Sequence, residues 1–168
     1  MEVVRSLYVL RHAKSSWDVP GLDDHARPLS PRGRSAARDM AAHLHGEGVE
    51  PALVLCSTAR RARETLAALS LRGEVRYEDG LYGAGAAELL ARLRLIPDGT
   101  GSVMLVGHNP GLHDLVVSCA GGGDPVVLAR LREKLPTGAL VRLTFQGSWS
   151  SLSEGRAVLE ALVVPREL

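Results

Sequence analysis

Three short stretches, "LYVL" at 7–10, "PALVLCS" at 51–57 and "SVMLVG" at 102–107, are apolar almost without interruption. A strand with one wet face alternates apolar and polar residues. A strand that is apolar at both parities must be covered on both sides, as in a parallel sheet held between helices. The segments between these runs supply the helices. "SPRGRSAARDMAAHLHGEG" has Ser30 placed to cap it and Pro31 in its first turn, and it ends at Gly46 or Gly48. Ala37, Met40, Ala41 and Leu44 recur along its inward face. "TARRARETLAAL" turns Ala59, Ala62, Leu66 and Leu69 inward, and "AAELLARLRLI" follows a short strand and turn in "EVRYEDGLYG". The alternation predicts an α/β fold on a mainly parallel sheet with helices on both faces. Near the C-terminus "ALVRLTF" and "RAVLEALVV" flank a loop holding Gly147, Trp149 and Gly155, which predicts an antiparallel pair of edge strands.

The chain is 168 residues long, which suits one domain spanning 1–168. Twenty basic residues against 19 acidic ones leave a net charge of +1, so no global field points to nucleic acid or to a membrane. Charge selectivity must come from a local cluster. No apolar stretch approaches the roughly 20 residues that span a bilayer, and the N-terminus has no signal-peptide pattern, so a cytoplasmic protein is expected. Cys56 and Cys119, the only cysteines, form no metal spacing and read as small buried side chains.

Ligands of such sheets sit beyond the carboxyl ends of the strands. Arg11 and His12 follow the first strand, Ser57 and Arg61 the second, and Gly107, His108 and Asn109 the "SVMLVG" strand. Two guanidiniums present forked donors to an oxyanion such as phosphate. Asn109 is placed to cap a helix with Pro110 in its first turn, and the amides of that helix are expected to face the same place, which makes Asn109 a substrate-binding candidate beside Arg11, Arg61 and His108. Two arginines repel a cation and no carboxylate stands beside the histidines, so no metal and no cofactor is expected. A neutral imidazole is a nucleophile towards phosphorus, and a second, protonated histidine would stabilise charge on the phosphoryl oxygens. Taken singly, an R-H pair or a glycine-flanked "HNP" turn is common. Arg60, Arg63, His25, His43, His45 and His113 read as surface or cap residues.

"LYVLRHAKSSW", "RPLSPRG", "CSTARRARET" and "VGHNPG", in this order, resemble the histidine phosphatase superfamily, and within it the small SixA-type phosphohistidine phosphatases. The resemblance implies a three-layer α/β/α sandwich. It also implies His12 as the nucleophile that becomes phosphorylated, Arg11 and Arg61 as phosphate-binding arginines, and His108 as the second histidine. Thr65, one helical turn after Arg61, is placed either to brace it or simply to pack within the helix. The position after the nucleophile, often glycine in the superfamily, is Ala13. Asp18 stands where many larger members carry a phosphate-binding asparagine, and its negative charge excludes it from that role.

Many phosphomonoesterases of the superfamily use a glutamate or aspartate to protonate an alkoxide leaving group. Here the candidates are Glu78, Asp79 and Glu88, none in a recognisable pattern. A phosphohistidine releases an imidazole, whose conjugate acid has a pKa of about 6.5, and needs little such help. The expected partner is therefore a protein carrying phosphohistidine, acted on by a monomer. The alternatives are a small phosphorylated compound or a binding module without turnover. The sequence leaves open whether the loop from Asp18 to Pro28 folds over the pocket.

Overall fold

The computed structural model describes residues 3–168. The strands are β1 (Val4–Arg11), β2 (Leu53–Ser57), β3 (Glu74–Glu78), β4 (Ser102–Gly107), β5 (Ala120–Gly123), β6 (Leu140–Gln146) and β7 (Ala157–Val163). The helices are α1 (Pro31–Gly46), α2 (Arg60–Leu69), α3 (Ala86–Arg94), α4 (Gly111–Cys119) and α5 (Pro125–Glu133). All strands join one sheet in the order β3-β2-β4-β1-β6-β7-β5. The pairs β2–β3, β2–β4, β1–β4 and β5–β7 are parallel, so only β6 runs against the rest.

The uninterrupted apolar strands are explained by their two burials. Leu7 and Val9 of β1 join a core with residues of α3, α4 and α5. Tyr8 and Leu10 point the other way, into a core with Met40 and Leu44 of α1 and Leu66 and Leu69 of α2. Side chains alternate along a strand, so a two-sided sheet demands apolar residues at both parities. Cys56 and Cys119 are buried free thiols, and burial pushes their pKa values up to about 12 and about 11.

Helix α1 begins as its sequence dictates. Ser30 caps it by accepting the Gly33 amide at 3.0 Å. The same motif clamps the chain just after β1. The Lys14 carbonyl accepts the Ser30 amide at 2.9 Å and the Ser30 hydroxyl at 3.1 Å. A Cβ added at Gly33 would stand 2.0 Å from that carbonyl oxygen, so the "RPLSPRG" glycine allows α1 to lie directly on Lys14.

Three features depart from expectation. β6 and β7 are antiparallel, but β6 lies beside β1, and the edge is β5, a strand of sequence "AGGG". Such a segment has no side-chain pattern to announce it; pairing with β7 creates it. Helix α5 is a further addition, capped by Asp124, which accepts the Val126 amide at 2.8 Å. Helix α4 starts at Gly111, one residue later than the expected Pro110. Among the described residues no helix is long and apolar enough to cross a membrane.

Candidate active site

Strand register does most of the assembly. β1 and β4 are parallel with Arg11 opposite Gly107, and the His12 amide donates to the Gly107 carbonyl at 3.1 Å. The next residues on each strand, His12 and His108, therefore stand side by side, with ring centroids 5.1 Å apart and planes inclined at 53°. β2 pairs with β4 up to Cys56 opposite Val106, which brings Ser57 to the same edge. Its Oγ lies 2.7 Å from His108 Nε2. Arg61, on the first turn of α2, and Arg11 both lie close enough to depress the pKa values of the two histidines.

The tautomer of His12 follows from its neighbour. Nδ1 lies 2.7 Å from the Ala13 carbonyl oxygen, which can only accept, so Nδ1 carries the proton and Nε2 the lone pair. Burial, reinforced by the charges of Arg61, Arg11 and Arg27, holds the His12 pKa down at about 4 against the hydrogen bond to Ala13. The ring is neutral at pH 7. His108 is lowered further, to about 3, first by burial and then by the neighbouring His12 and Arg61. Charge stabilisation by the second histidine depends on its being protonated, and desolvation keeps this ring neutral in the protein alone. Ser57 Oγ already accepts the Ala59 amide at 3.2 Å. When the Ser57 hydroxyl donates its proton to Nε2, the ring proton of His108 stands on Nδ1.

Four buried side-chain polar atoms among the described residues lack a hydrogen-bond partner, and three of them are Arg11 Nε, Arg61 Nε and His108 Nδ1. Buried donors without partners are rare. Three from separate elements, all in electrostatic contact with His12, make a cradle for an anion. Among the described residues no group of three His, Cys, Asp or Glu side chains is placed to hold a metal ion.

The arginines are held from behind. Arg11 Nη1 donates to the Leu135 carbonyl at 3.0 Å, in the turn after α5. Arg61 Nη1 donates to the Asp24 carbonyl at 2.7 Å and Nη2 to the Asp24 carboxylate at 3.1 Å. Thr65 links two elements: its Oγ1 accepts the Ala13 amide at 3.0 Å and donates to the Arg61 carbonyl at 2.7 Å. The brace expected of Thr65 thus holds the backbone of Arg61 and also that of the residue after His12.

Other expected groups are employed elsewhere. The Asn109 amide donates to the Leu135 carbonyl at 2.9 Å and its Oδ1 accepts the His113 amide at 3.3 Å. It shapes the turn into α4, and a role in substrate binding is not what its contacts indicate. The Leu112 amide is taken by the His108 carbonyl at 3.0 Å, so the first turn of α4 offers the anion fewer amides than its position implied. Glu78 receives two bonds from Arg92, at 2.7 and 2.9 Å, which lower its pKa. Glu88 accepts the Gly85 amide at the start of α3 at 3.3 Å. Asp79 accepts the Thr58 hydroxyl at 2.6 Å.

Two residues of the pocket wall went unread in the sequence, and a third was assigned to the surface. Asp24, in a short 3-10 turn over Asp24–Ala26, binds Arg61 and Arg27 and accepts the Tyr82 hydroxyl at 2.5 Å. That bond, with the two arginines, brings its pKa down to about 2. Tyr82 stacks edge-on against His108 at 5.5 Å between centroids and against His25 at 4.9 Å. His25, expected to be a surface or cap residue, is therefore part of the wall, with Nε2 2.9 Å from the Thr58 hydroxyl. No local pattern could reveal these contacts, which join loops far apart in the chain.

A family model, the histidine phosphatase superfamily (branch 1), matches residues 7–89. An uncharacterised protein of Mycobacterium tuberculosis is 36% identical over 159 residues, covering 94% of this chain and all of its own length. A chloroplastic protein of Arabidopsis thaliana is 33% identical over 97% of this chain and 79% of its own. Among solved structures, the SixA protein of Nakamurella multipartitia superposes with a TM-score of 0.86 at 33% identity, over 96% of each chain. The protein histidine phosphatase SixA complexed with tungstate superposes at 0.77 with 25% identity, over 96% of this chain and 98% of its own. The chain belongs to the histidine phosphatase superfamily. Within that superfamily it falls in the SixA branch, and it is a phosphatase.

Proposed function

We propose that this phosphatase hydrolyses phosphohistidine on a protein, through a covalent intermediate on His12 and without a metal ion. The observation that carries this reading is the fixed tautomer of His12: a buried, neutral ring with its lone pair on Nε2, close to Arg11, Arg61 and His108, each of which keeps a buried nitrogen without a partner. In the first step Nε2 attacks phosphorus and the phosphorus–nitrogen bond of the substrate breaks. The departing imidazole takes up a proton from solvent, and the attack of water in the second step returns one to solvent. Water then forms a phosphorus–oxygen bond, the bond to His12 breaks, and inorganic phosphate leaves with neutral His12 restored. Arg11 and Arg61 hold the phosphoryl oxygens through both steps, and the His108 Nδ1–H group donates to one of them. A bound dianion also favours a second proton on His108, opposing the desolvation that keeps it neutral.

The state of the carboxylates supports the choice of leaving group. Glu78 is locked to Arg92, Glu88 caps a helix, and Asp24 is held ionised far below neutrality. A leaving imidazole does not need them. That a SixA relative was solved with tungstate, a tetrahedral oxyanion, agrees with an anion-binding cradle. The buried free thiols suit a reducing compartment such as the cytoplasm. The test is turnover of phosphohistidine peptides against p-nitrophenyl phosphate and sugar phosphates, with acid-free trapping of the phosphoenzyme. Preference for the peptides and a label on His12 are expected. Preference for the monoesters, lost on Asp79→Asn, would instead establish a phosphomonoesterase.

A further inference from the structure

Beside the pocket, the segment 15–28 turns an apolar edge to solvent. Trp17 is 75% exposed, Val19 56% and Leu22 36%, three large hydrophobic side chains within six positions. The segment is tied at its base by the Ser15–Leu29 bridge and by the Ser16 amide donating to the Pro28 carbonyl at 2.8 Å. The indole rests on a guanidinium. The Arg27 guanidinium carbon lies 3.5 Å from the ring centroid, and Arg27 is itself buried and fixed by Ser15 Oγ at 2.7 Å and Asp24 Oδ1 at 3.1 Å. An exposed tryptophan held in place loses little entropy when a partner covers it, which is the property of an interface anchor.

The edge is joined to the anion cradle through one carboxylate. Asp24 binds Arg27 with Oδ1 and Arg61 with Oδ2, so the ring's support and the phosphate arginine share a ligand. The charges differ between the two. The cradle is cationic, whereas the loop carries three exposed acids, Asp18, Asp23 and Asp24, of which Asp24 is paired with Arg27 and Arg61. A small phosphorylated compound would be held by the cradle alone. A polypeptide whose phosphorylated residue enters the cradle lays its flanking residues over the loop.

We propose that Trp17, with Val19 and Leu22, docks an apolar side chain flanking the phosphorylated residue of a polypeptide substrate, and that Asp18 and Asp23 favour a basic over an acidic neighbour there. This rests on the protein-substrate reading above. It goes further by assigning the chemistry of the flanking sequence. Like charges across a contact disfavour the wrong partner, while the exposed ring supplies the attraction.

Three probes test it: a phosphohistidine peptide with leucine and lysine flanks, the same peptide with glycine and glutamate flanks, and free phosphohistidine. The parent protein is expected to prefer the leucine–lysine peptide by about tenfold in kcat/KM, carried by KM, as truncating an interface tryptophan usually shows. Trp17→Ala removes the preference and Trp17→Phe retains most of it. Asp18→Asn with Asp23→Asn narrows only the discrimination between lysine and glutamate. A second measurement does not depend on turnover. Trp149, the other tryptophan, is fully buried, so acrylamide quenching reports Trp17. Binding of the leucine–lysine peptide to His12→Ala protein is expected to protect it, and inorganic phosphate is expected not to. If peptides are hydrolysed with equal kcat/KM by the parent and by Trp17→Ala, the docking edge is overturned while the phosphohistidine reading stands. If p-nitrophenyl phosphate turns over and no peptide does, that reading falls and the docking edge with it.

Discussion

The floor of the pocket is made at strand ends, and its rim is made of loops tied by side chains. On the floor, His12 and His108 are neighbours because the backbones of β1 and β4 pair with Arg11 opposite Gly107. On the rim, Asp24 and Tyr82 meet through one hydrogen bond across 58 residues of sequence. A strand register cannot be adjusted by a fraction: a slip of one residue turns every side chain to the other face. A loop contact can be exchanged for another. The floor should therefore carry the chemistry, and the rim should adjust how well the floor is held and what reaches it.

Substitutions put that division to work. His12→Ala should lower kcat by at least about 10³-fold while the protein keeps its melting temperature, because it removes the attacking atom from an otherwise intact site. A phosphoenzyme still trapped in this variant would show that the floor is not where bond making occurs. Arg61→Ala and Arg11→Ala should each reduce kcat/KM by about 10²- to 10³-fold, the usual loss when a charge-assisted donor is removed from a transition state. On the rim, Asp24→Asn keeps an acceptor for Arg61 but loses the charge. About a tenfold fall in kcat/KM is expected, and a loss equal to that of Arg61→Ala would erase the distinction between floor and rim. Tyr82→Phe, which removes one bond to Asp24, should change kcat/KM by less than about fivefold.

The two regions also differ in how they respond to acid, and the sign is fixed by the direction of each shift. His12 and His108 have pKa values pushed below the ordinary 6.5, to about 4 and about 3. Between those values the unfolded chain binds protons that the folded one refuses, so stability is lost as pH falls from about 6.5 towards 4. Asp24, lowered from 3.8 to about 2, adds a loss only as pH falls below its unfolded value. Melting temperature followed from pH 7 to pH 4 should decline in the parent and decline less steeply in His108→Gln. Equal slopes would assign the acid sensitivity to groups outside the floor. The acid limb of kcat/KM, which reports the free enzyme, should likewise lie near pH 4 and not near 6.5.

The sequence revealed what backbone periodicity encodes. The apolar runs locate β1, β2 and β4, and the rule that ligands bind beyond strand ends brings Arg11, His12, Arg61 and His108 to one edge. The helix α1 cap at Ser30 was equally visible, since the cap and its amide lie three residues apart. What escaped reading depends on the partner. β5 is four residues of alanine and glycine that become a strand only against β7. Asp24 and Tyr82 carry no local signature for a contact between two loops. Asn109 follows β4 together with His108, yet the turn after α5 provides the carbonyl that claims its amide. The charge state of His108 is hidden from the sequence for a related reason, since burial is a property of the assembled core.

The sheet order has a consequence for a chain still being synthesised. β1 is translated ahead of β2 to β7, but its two neighbours are β4, at residues 102–107, and β6, at 140–146. Until the last of these is translated, one edge of an apolar strand stays unpaired, a condition that invites association with other nascent chains and slows folding by long-range contacts. Truncated products lacking the final quarter should therefore be insoluble, however complete the set of residues around the phosphate.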